Sequence, residues 1–163
     1  RKGAKKVVAV DVGYGQLAWE LRQDERVVIL DRTNIRHLTG EMVGEEVEIV
    51  VADLSFISLS LVLPALAAVS KPSADYLLMV KPQFEVGREK LGAGGVVRDP
   101  ALRKSAVMDV ATSAYGVGLG TKGVVASPLP GPAGNVEYFL WLKRGAQEIS
   151  EDALEAAIQI GPQ

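Results

Sequence analysis

Two charged residues stand where a parallel sheet does its chemistry. Residues 47–52 form an apolar-rich run that stops at Asp53, and residues 76–80 form a second that stops at Lys81. In an open α/β sheet, ligands lie just beyond the carboxyl ends of the strands. A charge one residue earlier would be buried at high cost. A lysine held in a low-dielectric cleft loses its proton more readily and can accept one from a substrate, and a neighbouring carboxylate would orient it. The bland reading of the same pair is a structural ion pair. Asp11 closes a third apolar run, residues 7–10. In nucleotide-binding α/β folds an acid so placed accepts hydrogen bonds from ribose hydroxyls; otherwise it is a solvated strand end. Asn34 follows a fourth run, residues 27–30. It either meets an adenine edge or forms a turn, and the residue alone favours the turn. Glu137 lies in Asn135-Val136-Glu137-Tyr138-Phe139-Leu140. A carboxylate in so apolar a stretch wants a partner, unless it faces water from an edge strand.

The elements that must position these residues alternate between strand and helix. Strands are expected over 5–11, 27–30, 47–52, 76–80, 121–126 and 136–142. Helices are expected over a short stretch after Gly15, over 59–70, from Pro100 to about Tyr115, and over 151–158. Asp99-Pro100 is a capping residue followed by proline at the first helical position, and Ser150 caps the last helix. Residues 35–46 are a connector broken by Gly40 and Gly44. Residues 82–98 form a long loop with four glycines, of the kind that is functional or mobile in a compact domain. Strand–helix alternation predicts a doubly wound, mostly parallel α/β sheet. The last two strands share a short loop with no helix, which predicts an antiparallel edge hairpin.

Bulk properties exclude several classes. At 163 residues the chain has one domain's length and can bury a real core. Net charge is −2, which advertises no nucleic-acid partner, although a mean charge hides its distribution. There are no cysteines, so disulfides and thiolate metal sites are excluded and a reducing cytoplasm is the default setting. No apolar run reaches the roughly 18 residues of a membrane helix, and no signal-peptide pattern opens the chain. His37 stands alone without metal-ligand neighbours, so no metal site is expected. Lys2, Lys5 and Lys6 read as a solvated strand approach, with phosphate contact the weaker reading. Trp19 and Trp141 read as core. The glycines of residues 91–97 are not a phosphate loop, because no Gly-Lys-Ser/Thr follows.

Four blocks in order then carry a resemblance. They are Val8-Ala9-Val10-Asp11-Val12-Gly13-Tyr14-Gly15-Gln16-Leu17-Ala18-Trp19, Ala52-Asp53-Leu54-Ser55-Phe56-Ile57-Ser58, Val80-Lys81-Pro82-Gln83-Phe84-Glu85-Val86-Gly87, and residues 127–139 from Ser-Pro-Leu-Pro-Gly-Pro to Tyr-Phe. Together they closely resemble the TlyA family, once labelled hemolysins: FtsJ-like ribosomal RNA 2′-O-methyltransferases that use S-adenosylmethionine. The resemblance implies a Rossmann-like methyltransferase sheet and a cytoplasmic protein acting on ribosomal RNA or ribosomal subunits, with cytidine ribose as target. It implies that Asp53, Lys81 and Glu137 match three members of a Lys-Asp-Lys-Glu catalytic set. Lys81 would deprotonate or orient the 2′-hydroxyl, Asp53 would hold Lys81 beside the methyl donor, and Glu137 would position the lysine side. Asp11 matches the acid that binds the cofactor ribose, and Asn34 falls where the family contacts the adenine region.

The departures are equally definite. The resemblance places an S4-type RNA-binding domain, the first catalytic lysine, and the first strand with its Gly-rich turn ahead of Arg1. That strand belongs between the strands ending in Asp11 and Asp53. Residues 1–163 therefore read as a partial methyltransferase domain, expected to bind S-adenosylmethionine poorly and not to methylate RNA alone. Two other readings stand beside it: an inactive RNA- or ribosome-binding remnant, and a membrane-active hemolysin. A nicotinamide-dependent dehydrogenase has the fold in its favour, but no Gly-x-Gly-x-x-Gly follows the first strand.

Overall fold

Valine-rich runs with two apolar faces become parallel strands, the setting such runs require. The computed structural model describes residues 3–161. Strands β1 (Val7–Val10) and β2 (Val27–Leu30) pair in parallel, joined through the one-turn helix α1 (Trp19–Arg22). After a 3-10 turn at Ile35–His37 and the one-turn helix α2 (Gly40–Val43) comes β3 (Val47–Ala52). A second 3-10 turn, Leu59–Leu61, and α3 (Leu63–Ala68) lead to β4 (Ser70–Val80), parallel to β3. The short helix α4 (Pro82–Glu85) and the long helix α5 (Pro100–Gly116) follow. β5 (Leu119–Ala126), β6 (Tyr138–Arg144) and α6 (Glu151–Ile160) complete the chain. Both expected caps form: Asp99 accepts from the Ala101 amide at 2.8 Å, and Ser150 from the Ala153 amide at 3.3 Å.

The strands make two sheets, β1-β2 and β3-β4-β6-β5. β6 runs against both β4 and β5, so one reversed strand sits in an otherwise parallel set and the antiparallel β5–β6 pair is present. Among the described residues no ladder joins β1 to β3, the two strands between which the resemblance places a further strand. The smaller sheet leans on the larger through Leu38, Val43 and Val69, against which Val8, Val10 and Leu30 pack. The main core fills one face of the large sheet, where Tyr76, Leu78, Tyr138 and Leu140 meet α3, α5 and α6 residues such as Leu63, Val107 and Leu154.

Several expectations are corrected. A continuous helix over 59–70 does not form, because it would place Pro64 in its interior. The chain makes a 3-10 turn and starts afresh at Leu63, so that Pro64 falls in a first turn that needs no amide there. β4 starts at Ser70 rather than residue 76, and β6 spans 138–144 rather than 136–142, leaving Glu137 just ahead of the strand. Both tryptophans are exposed rather than core, and Trp141 donates to Asp75 at 2.8 Å on the open sheet face. The long loop is ordered by α4 and two 3-10 turns, Arg88–Lys90 and Ala93–Gly95. Lys6 pairs with Glu45 at 3.0 Å on the surface; Lys2 lies outside the described residues.

Candidate active site

Parallel pairing of β3 with β4 brings their carboxyl ends side by side, with Ala52 opposite Leu78. The next residues are Asp53 and, three past Leu78, Lys81. Lys81 Nζ lies 2.6 Å from Asp53 Oδ1 and donates to Ser55 Oγ at 3.3 Å. The two side chains differ in setting: that of Lys81 is 13% exposed and that of Asp53 is 67% exposed. The lysine stem is thus packed while its amine reaches an open carboxylate.

Glu137 is buried, and it has the partner its surroundings require. Gln83 Nε2 donates to its Oε1 at 3.1 Å. Gln83 stands two residues after Lys81, so the carboxylate is linked to the lysine through α4. Gly131 packs against the same carboxylate, leaving no room for a side chain. The loop before Glu137 is fixed by Asn135, whose Oδ1 accepts from the Val97 amide at 2.9 Å and whose Nδ2 donates to the Gly95 carbonyl at 3.1 Å. Buried Asn135 therefore anchors both glycine-rich loops to each other.

Asp11 and Asn34 form a separate set on the small sheet. Asp11 is exposed, and its Oδ1 accepts from the Gly13 amide at 2.6 Å, closing the turn after β1. Its carbonyl accepts from the Thr33 amide at 2.9 Å, which brings the segment of Asn34 alongside. Asn34 Oδ1 accepts from the Arg36 amide at 3.0 Å and caps the 3-10 turn, the turn reading of that residue. A shallow depression of about 290 Å³ beside them is lined by Tyr14, Gly15, Leu17, Trp19 and Arg22. Arg32 lies over the Tyr14 ring at 4.6 Å, and Arg22 pairs with Asp31 at 3.0 Å. His37 is exposed in the 3-10 turn.

Residues outside the expected set complete the picture. Phe56 is 92% exposed, with φ at +62°, and its ring lies 5.1 Å from that of Phe84. Glu85, the last residue of α4, accepts from Ser58 Oγ at 2.5 Å and from the Leu59 amide at 2.9 Å. Burial pushes its carboxyl above the ordinary glutamate range, the two donors pull it back, and Asp109 adds to the rise. The sequence signals for these residues are weak: the only regular one is that Glu85 stands four residues after Lys81.

The ends of β3 and β4 thus bring together a lysine–aspartate pair with a buried glutamate linked to it through Gln83. The family model described as FtsJ-like methyltransferase matches residues 1–144. This chain belongs to the FtsJ-like methyltransferase family. It is 57% identical over 166 residues to the 16S/23S rRNA (cytidine-2'-O)-methyltransferase TlyA of Mycobacterium tuberculosis, covering 99% of this chain and 62% of that protein. It is 34% identical to Hemolysin A of Brachyspira hyodysenteriae, over 85% of this chain and 58% of the relative. A solved structure bearing the name hemolysin, from Streptococcus thermophilus, superposes with a TM-score of 0.91 at 36% identity, covering 96% of this chain and 58% of that one. The chain thus spans about three fifths of the length of these two curated relatives.

Proposed function

We propose that this chain is the catalytic part of an S-adenosylmethionine-dependent ribosomal RNA 2′-O-methyltransferase acting on cytidine ribose in the cytoplasm. The observation that carries the reading is the 2.6 Å contact between Lys81 Nζ and Asp53 Oδ1 at the ends of neighbouring parallel strands in an FtsJ-like chain. The name of the Mycobacterium tuberculosis relative supplies the substrate class. Residues 1–163 form part of the methyltransferase domain in this reading.

The donor chemistry of the chain fits the cofactor. Asp11 presents an exposed carboxylate at the end of a parallel strand, suited to vicinal ribose hydroxyls. Asp53 presents a second, suited to the neighbourhood of a sulfonium. Asn34 lies in the adjoining segment for the adenine side. Bound S-adenosylmethionine supplies the electrophilic methyl group. Lys81 Nζ meets the ribose 2′-hydroxyl and takes or holds its proton, while Asp53 fixes the amine on the line of attack. Glu137, through Gln83, keeps α4 and hence the lysine stem in place. Phe56, exposed beside the half-buried Phe84, offers a ring face on which a nucleotide base can stack. Positioning supplies much of the rate in such a transfer, because a bimolecular encounter becomes an oriented one.

The test is transfer of labelled methyl groups from S-adenosylmethionine to ribosomal subunits by the polypeptide that carries this chain. Lys81→Met is expected to lower kcat by about 10²-fold or more while leaving RNA binding in place. Wild-type turnover by that variant would remove Lys81 from the mechanism. RNA binding without methyl transfer by the unaltered protein would instead favour the binding-remnant reading.

A further inference from the structure

Five ties cross between the loop after β3 and the segment after β4, and they come from one short stretch of chain. Lys81 reaches Asp53 and Ser55 at one end. Phe84 meets Phe56 in the middle. Glu85 holds Ser58 and the Leu59 amide at the other end. We propose that Glu85 is a positioning residue: by fastening the far end of loop 53–58 to α4, it sets the approach of Asp53 to Lys81.

The loop runs six residues from the last residue of β3 to the first residue of the 3-10 turn at Leu59. Within it Phe56 adopts a left-handed backbone conformation that an aromatic residue rarely takes, so the loop must be held in shape by its contacts. The Lys81–Asp53 pair is a weak tether by itself, because one partner is largely open to water. The Phe56 ring is more exposed still. The Glu85 contact is different. Its carboxylate is withdrawn from solvent, both oxygens are occupied, and one of its donors is a main-chain amide at the start of a helical turn. Ser58 Oγ also accepts from the Ser60 amide at 3.2 Å, so the same hydroxyl that donates to Glu85 caps the turn. Burying a carboxylate is costly unless donors meet it, and here they come from a segment 26 and 27 residues earlier. Asp109, on α5, is the charged group that faces Glu85 from the helix packed against α4. It repels the carboxylate and gives it no compensating hydrogen bond. The contact therefore serves the Asp53 loop rather than α5.

The proposal uses the methyltransferase reading for one of its two readouts only. The first readout is the rate at which Lys81 Nζ reacts with an acylating reagent at fixed pH, mapped by mass spectrometry on the polypeptide that carries this chain. Glu85→Ala is expected to speed labelling of Lys81 by about threefold or more, with other lysines unchanged, because the loop opens locally. Glu85→Gln restores slow labelling: its amide oxygen accepts from the Leu59 amide and its NH₂ donates to Ser58 Oγ. Ser58→Ala, which removes one of the two ties to Glu85 together with the cap on the Ser60 amide and leaves the Leu59 tie in place, is expected to shift the rate in the same direction by less. The second readout is methyl transfer by the polypeptide carrying the chain. There Glu85→Ala lowers kcat by about 10²-fold with S-adenosylmethionine affinity retained, and Glu85→Gln recovers most of it. A role in stability alone would change the unfolding midpoint and label every lysine faster. Wild-type labelling of Lys81 in both Glu85→Ala and Ser58→Ala overturns the proposal. Faster labelling with no methyl transfer by any form, wild type included, keeps the clamp and removes the methyltransferase reading.

Discussion

Asp53 and Glu137 are both carboxylates tied to Lys81, one directly and one through Gln83, and their surroundings could hardly differ more. Asp53 stands open to water, whereas Glu137 is buried with Gly131 pressed against it. A methyl group added at Gly131 would lie 2.7 Å from Glu137 Oε1 and 3.2 Å from its Cδ. Gly131→Ala must therefore push the carboxylate off Gln83. Overpacking of this kind costs about 1–3 kcal/mol, and the urea midpoint is expected to fall accordingly. An unchanged midpoint would mean that Glu137 has room to move. Asp53 and Lys81 were legible in the sequence because a charge that directly follows an apolar run can only sit at a strand end. Glu85 was not legible. A glutamate inside a glycine-containing loop reads as solvated, and its burial depends on Ser58, which lies 27 residues away. Asn135 was hidden for the same reason: its partners at Gly95 and Val97 lie far back in the chain.

At the scale of the elements, the alternation of strand and helix matches the expectation, as do the bounds of β2 and β3, whereas those of β4 and β6 differ. Lys71-Pro72-Ser73 looks like a break between helix and strand. The fold absorbs it inside β4 instead: Ser70 pairs with Val47 and Asp75 with Ile49, so extra residues of β4 bulge out between two pairs. Proline is tolerated at such an irregularity because no ladder amide is required of it. The β6 partner enters only at Asp75, beyond the bulge. Gly120 gives the element its sharpest constraint. A side chain there would run into the carbonyl of Ala146 and the oxygen of Gln147, in the segment where Thr121 donates to Gln147 at 2.7 Å. Backbone cannot yield as a side chain can. Gly120→Ala is expected to destabilise the chain by about 3 kcal/mol, at the top of the overpacking range, measured by equilibrium urea unfolding. A loss no larger than that at Gly131 would show that the 146–147 segment shifts freely.

At the scale of the molecule, helices among the described residues clothe only one face of the large sheet. Helices cover Tyr76, Leu78 and Leu140, while the other face presents Val51, Leu77 and Trp141 in one cross-strand row, with Val51 73% exposed. Only the arrangement of the helices reveals which side of these strands is left open.

The division into two sheets has a thermodynamic consequence. Among the described residues, the β1–β2 pair is held by four-residue strands and a cluster of three buried side chains, against twenty-two in the main core. Its amides are expected to exchange with solvent through a lower-energy opening than those of β4 and β6. Hydrogen exchange that is equally slow in both sheets would contradict this. Asp11 belongs to the weaker unit and Asp53 to the stronger one. A ligand that grips both carboxylates binds only the closed arrangement, so part of its affinity is spent holding the small sheet shut. By mass action, that ligand should protect β1 and β2 far more than the strands around Lys81.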